Sequence, residues 1–169
     1  MLRPVPLPPG VPGNLFLSGM PGYYDSFFEE RDLIVAAGVQ TVFCLPPMEE
    51  IRRKSPVYAR AIEAGELPWE MRHFPIEDLS VPDDEEAFVA LAREAADDLR
   101  AGQRVMIHCT AGIGRTGLLA VCVLMALGMS RDAAVQAVHS AGSDAEMPAQ
   151  RALIRRVARI FEGKDESQP

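Results

Sequence analysis

The chain has 169 residues, 48% hydrophobic and 24% charged, enough apolar material for one ordinary domain. Asp and Glu total 24 against 17 Lys and Arg, a net charge of -7. That excess argues against non-specific binding to nucleic acid or to an anionic membrane surface, and it requires that an anionic ligand be captured by a local positive site.

Residues 1–13 carry Pro4, Pro6, Pro8, Pro9 and Pro12. Prolines at this density exclude a helical secretory segment, and the region is set apart as a Pro-rich N-terminal segment. Asn14 to Ser18 predicts a short strand, followed by a turn at Gly19-Met20-Pro21-Gly22. Tyr23 to Ala37 predicts a helix stopped by Gly38, and Gln40 to Leu45 a buried strand ended by Pro46 and Pro47. Glu49 to Ala64 predicts helix broken near Pro56, with Pro56 to Ala64 the firmer piece. Arg52, Arg53 and Lys54 at its start are expected on a solvated surface. Trp69 to Ile76 predicts a strand, and Asp83 to Leu99 a helix with Asp83 and Glu86 at capping-box spacing. Arg104 to His108 predicts a short buried strand. Arg115 to Leu127 predicts an apolar helix, too short to span a bilayer. Ser130 caps a further helix to about His139, and Pro148 opens a last one to about Phe161. Residues 163–169 form a polar tail. The expected domain is thus 14–162, a single α/β unit. Its central, mostly parallel sheet of four to five strands is flanked by helices.

Cys44, Cys109 and Cys122 are too few and too irregular for a disulfide framework, and they suit a reducing compartment. There is no CxxC pair, and His73, His108 and His139 are scattered, so neither a metal site nor a cofactor is expected. The chain reads as a cytoplasmic monomer with no nucleic-acid or membrane partner. Cys44, in a strand, and Cys122, on an apolar helix, read as core residues.

The chemistry concentrates in His108-Cys109-Thr110-Ala111-Gly112-Ile113-Gly114-Arg115-Thr116, between a buried strand and a helix N-terminus. Gly112 and Gly114 let the backbone curl. A curled loop running into a helix points its amides inward as an anion cradle. Arg115 adds a planar fork that matches phosphate oxygens in bidentate fashion. The positive setting favours the thiolate of Cys109, the nucleophilic form of the residue. The Thr116 hydroxyl can bond the sulfur, and His108 reads as a brace for the loop. Gly112-Ile113-Gly114-Arg115-Thr116-Gly117 also fits GxGxxG, but no second strand follows the helix, so a dinucleotide site is rejected.

Cys-x5-Arg followed by Thr resembles the signature loop of the protein-tyrosine and dual-specificity phosphatase superfamily. The resemblance implies phosphomonoester hydrolysis through a phosphocysteine, with Cys109 as nucleophile. Thr110, Ala111, Gly112, Ile113, Gly114 and Arg115 would hold the phosphate, and no metal or cofactor would be needed. A general acid is then required on a nearby loop. Among Glu77, Asp78, Asp83 and Asp84, the last two serve better near a helix start. Pro75-Ile76-Glu77-Asp78 with Pro82 is similar to the acid loop of small dual-specificity phosphatases of the cyclin-dependent-kinase-associated type, which points to Asp78. Glu146-Met147-Pro148-Ala149-Gln150 is similar to their late segment, with Met147 in place of a threonine. Gln150 there would place water, fix the loop or cap a helix. The implied substrate is a phosphotyrosine or phosphoserine/threonine protein. The alternatives are small or lipid phosphate esters, or a non-catalytic phosphoprotein-binding module.

Overall fold

The computed structural model describes residues 1–163. Five strands and seven helices alternate along the chain. β1 (Arg3–Val5) and β2 (Asn14–Ser18) lead to α1 (Phe27–Ala36), β3 (Thr41–Cys44), α2 (Met48–Lys54), α3 (Pro56–Ala64) and β4 (Glu70–His73). α4 (Glu85–Arg100), β5 (Arg104–His108), α5 (Gly114–Ala126), α6 (Arg131–Ser140) and α7 (Pro148–Phe161) complete the fold. The sheet order is β1-β2-β5-β3-β4, with β1 antiparallel to β2 and the other pairs parallel.

Strand periodicity sorts side chains onto two faces. Leu15, Leu17, Phe43, Val105 and Ile107 enter one core, under α4, α5, α6 and α7. Val42, Cys44 and Met106 enter the other, with Phe27, Ile51 and Tyr58 of α1, α2 and α3. Both sheet faces are therefore covered, as a largely parallel sheet requires. Every residue of α5 from Gly114 to Met125 is buried, and from Gly117 on its sequence is apolar on all sides. Among the described residues no helix is long and apolar enough to cross a membrane.

The predicted elements reappear with three differences. The segment 1–13, set apart from the domain in the sequence, contributes β1, whose Pro4 is tolerated because the strand lies at the sheet edge. α1 begins at Phe27 rather than Tyr23, because the turn continues past Gly22, at φ 84°, into Tyr23 and Tyr24. The cap of α4 is Asp84, not Asp83: its carboxylate accepts from the Ala87 amide at 3.0 Å. Ser130 caps α6 as predicted. The polar tail beyond residue 163 lies outside the described residues.

Candidate active site

β5 ends at His108 in the middle of the sheet, and α5 starts at Gly114. The turn between them holds Cys109, only 3% exposed. Its carbonyls are taken from outside. His108 Nδ1 bonds the Cys109 carbonyl (2.9 Å) and the Met20 amide bonds that of Thr110 (2.9 Å). Ser143 Oγ (2.6 Å) and an Arg3 guanidinium nitrogen bond that of Gly112, and the Gly117 amide bonds that of Ile113 (2.8 Å). With the carbonyls so engaged, the amides of Ala111, Gly112 and Ile113 have no hydrogen-bond partner among the described residues. This is the geometry of an anion-binding nest. Gly112 sits at φ 75°, and a Cβ there would land on the Ser18 carbonyl, so the curl needs glycine. Gly117, the last glycine of the GxGxxG-like run, lets α5 pack directly on the backbone of Asp144.

The Thr116 hydroxyl donates to Cys109 Sγ at 3.1 Å. His108 is fully buried. A carbonyl can only accept, so Nδ1–H donates to Cys109, and burial pushes the ring's pKa down to about 4. The neutral ring then accepts at Nε2 from the Tyr58 hydroxyl, 2.8 Å away. His108 thus links the loop to Tyr58 on α3.

Arg115 is 2% exposed. Nη1 donates to the Ile76 carbonyl (2.9 Å) and Nη2 to Glu50 Oε2 (2.9 Å). Glu50 also accepts from the Thr110 hydroxyl at 2.6 Å. Burial raises the Glu50 carboxyl, but the bonds from Thr110 and Arg115 outweigh it and hold it below its ordinary range. Asp78, in the loop after β4, brings Oδ1 to 3.3 Å from Arg115 Nη2. Next to it Leu79 has φ 61°, the one non-glycine residue with positive φ among the described residues. A bulky side chain in that conformation stores strain of the kind found at functional loops.

A cleft of about 200 Å³ opens over this group. Cys109, Thr110, Ala111, Gly114 and Arg115 line its floor, and Asp78 and Leu79 one wall. Tyr23, Tyr24, Lys54 and Glu146 complete the rim. Gly112 and Ile113 contribute backbone to the loop but do not line the cleft. Gln150 is buried. Its Oε1 accepts from the Glu146 (3.0 Å) and Met147 (3.2 Å) amides, and Nε2 donates to the Ser80 carbonyl (2.9 Å). It therefore caps α7 and ties that helix start to the loop that carries Asp78.

The sequence missed several members of this site. Glu50 carried no local signal. Arg3 lay in a segment set apart from the domain. Tyr23 and Tyr24 were read as helix, although the Pro21-Gly22 turn before them could have placed them in a loop. Lys54, expected on a solvated surface, stands at the rim, with Nζ 5.8 Å from the Tyr23 ring centroid. Cys44 and Cys122 are fully buried, and burial pushes the Cys44 thiol up to about 12 and the Cys122 thiol higher still.

A family model described as PTP-SAK, Swiss Army Knife protein, DSP-PTPase phosphatase domain, matches residues 25–167. Among solved structures the chain is similar to kinase associated phosphatase (KAP) carrying a serine at its catalytic-site cysteine. The TM-score is 0.78 at 18% identity over 99% of this chain and 97% of that one. Tk-PTP in the active form matches with TM-score 0.70 at 26% identity, over 88% of this chain and 94% of that one. Human DUSP28 matches with TM-score 0.69 at 17% identity, over 98% of this chain and all of that one. No curated protein matches the sequence.

Proposed function

The chain belongs to the Swiss Army Knife DSP-PTPase phosphatase-domain family, and from that premise we propose that it hydrolyses phosphomonoesters through a phosphocysteine on Cys109. One observation carries the reading: Cys109 lies in a cleft that also brings together Arg115 and Asp78, 3.3 Å apart.

In this reading the phosphoryl group sits on the amides of the loop from Thr110 to Gly114, with Arg115 as its bidentate clamp. As Arg115 takes the phosphoryl oxygens it releases Asp78, whose carboxyl then meets the leaving oxygen. The Cys109 thiolate attacks phosphorus, the P–O ester bond breaks, and Asp78 delivers its proton to the departing oxygen. In the second half Asp78 takes a proton from water as that water attacks the phosphocysteine. Inorganic phosphate leaves, and the thiolate is regenerated with the Thr116 hydroxyl bonded to it. Glu50 and Gln150 are positioning residues: Glu50 fixes the fork of Arg115, and Gln150 fixes the acid loop through Ser80. In this reading the protein acts as a monomer, with β1 added to the domain of residues 14–162.

The rim favours an aryl phosphate, phosphotyrosine on a protein. Tyr23, Tyr24 and Leu79 are 42%, 63% and 53% exposed around a cysteine that is 3% exposed. Apolar walls above a deep nucleophile suit a flat ring that carries its phosphate far from the peptide backbone, and aromatic contacts with such a ring contribute about 0.5–1.5 kcal/mol beyond burial. A phosphoserine places its phosphate close to the backbone, where the rim obstructs it.

Rapid acid quench of the enzyme with a labelled aryl phosphate tests the reading. Label should remain on wild-type protein, in a phosphorothiolate that iodine cleaves, and be absent from Cys109→Ser. Turnover with label on another residue, or equal labelling of the serine variant, would refute the phosphocysteine.

A further inference from the structure

α7 carries Arg151, Arg155, Arg156 and Arg159 and no acidic residue, in a chain of net charge -7. Arg156 is bonded to Glu85 on α4. The other three recur every fourth residue and so share one helix face. That face turns to α6 across a cavity of about 390 Å³, whose apolar side is formed by Val121, Val135, Val138 and Ile154. A second cavity of about 340 Å³ shares Arg131 and Arg155 with the first and reaches Arg159, so the two form one groove.

Four arginines and three carboxylates line this groove, an excess of one positive charge. Arg155 and Arg159 have no ion-pair or hydrogen-bond partner among the described residues. Arg151 donates only to neutral groups, the carbonyls of Ala145 (3.3 Å) and Glu146 (2.8 Å). Of the three carboxylates, Asp144 is engaged by His139 at 2.9 Å, Asp132 by Arg131 at 3.5 Å, and Glu162 stands beside Arg155 and Arg159 in the second cavity.

We propose that this groove docks an acidic, extended peptide segment of a partner protein. An apolar residue sits among Val121, Val135 and Ile154, and carboxylates pair with Arg155 and Arg159. The spacing fits. Two residues four apart on a helix are separated by about 6 Å. Alternate residues on one face of an extended chain are about 6.6–6.8 Å apart. The site is concave, which suits a peptide, whereas an anionic bilayer needs a flat basic face and would be repelled by the chain as a whole.

The groove also backs onto the catalytic loop. Ser143, Asp144 and Ala145 line it. From the same segment Ser143 Oγ holds the Gly112 carbonyl at 2.6 Å and the Asp144 amide the Ile113 carbonyl at 3.3 Å. A docked segment therefore touches the support of the signature loop as well as delivering a substrate beside it.

The probe is a fluorescein-labelled acetyl-Leu-Ser-Glu-Ser-Glu peptide, titrated into the full chain by fluorescence anisotropy. Saturable binding is expected, weakened at least about tenfold by Arg155→Glu with Arg159→Glu and by raising salt to about 0.2 M. A Leu-Ser-Lys-Ser-Lys peptide should not bind. In amide spectra, peptide should shift Ser143 to Ala145 and, beyond them, Gly112 to Gly114. The charge-reversed variant should hydrolyse a small aryl phosphate at the wild-type rate, which reports on its folding; the binding arm does not depend on that activity. No saturable binding, equal binding by the folded variant, or capture by phosphatidylserine vesicles in place of the peptide would overturn the proposal.

Discussion

Nη2 of Arg115 lies 2.9 Å from Oε2 of Glu50, and the two side chains are 2% and 8% exposed. The pair is closed off by the Thr110 hydroxyl on the same carboxylate oxygen. Removing one partner of a buried ion pair leaves an uncompensated charge and costs about 3–5 kcal/mol. Glu50→Ala is therefore expected to destabilise the protein by about 3 kcal/mol in urea unfolding. It should also lower kcat/KM for an aryl phosphate about 10–100-fold, because the Arg115 fork loses its alignment. A variant with unchanged midpoint and activity would show that Ile76 and Asp78 suffice to hold the fork.

The buried His108 makes stability pH-dependent in a defined window. Its folded pKa, about 4, lies below the ordinary value of 6.5, so between the two the unfolded chain binds a proton that the folded chain does not. Stability is full above pH 6.5 and falls as pH drops towards 4, by about 2 kcal/mol between pH 7 and pH 5. Urea titrations at a series of pH values should show this slope, and His108→Asn should flatten it. The depressed carboxyl of Glu50 adds a separate loss only at lower pH, below the ordinary glutamate range.

On the proposed mechanism, Asp78→Asn removes the proton donor without removing the side chain's bulk. Activity on substrates with poor leaving groups should fall about 100-fold or more, and on good leaving groups far less. A leaving-group series for both enzymes checks this. Equal loss across the series would assign the acid elsewhere.

Tyr24 stands at the rim with its ring at 3.0 Å from the position a Cβ on Gly19 would take, so it packs along the loop that enters the cleft. Tyr24→Ala should raise KM for a phosphotyrosine peptide about 3–10-fold, in line with a lost aromatic contact. Its effect on a phosphothreonine peptide should be small or favourable. A parallel loss on both peptides would separate the residue from substrate selection.

Much of this was legible in the residues. Short apolar runs pointed to β2 and β5, and the glycines and arginine after Cys109 marked the loop between β5 and α5. β1 was hidden because Pro4 reads against a strand, and only its edge position permits it. Glu50 was hidden for a different reason. It lies 65 positions from Arg115, on a two-turn helix whose packing, not its sequence, aims the carboxylate at the loop. Gln150 was identified by position, but the choice among its roles depended on Ser80, whose carbonyl only the folded chain brings within 2.9 Å. The rim residues Tyr23 and Tyr24 looked helical because the apolar spacing of α1 extends back through them.

Phosphate release from a model aryl phosphate, measured side by side for wild type and Cys109→Ser, tests the central claim most directly. Steady turnover is expected of the wild type and none above background of the serine variant, with the variant folded and still binding vanadate. Undiminished turnover by Cys109→Ser, or no turnover by a folded wild-type protein, would contradict it.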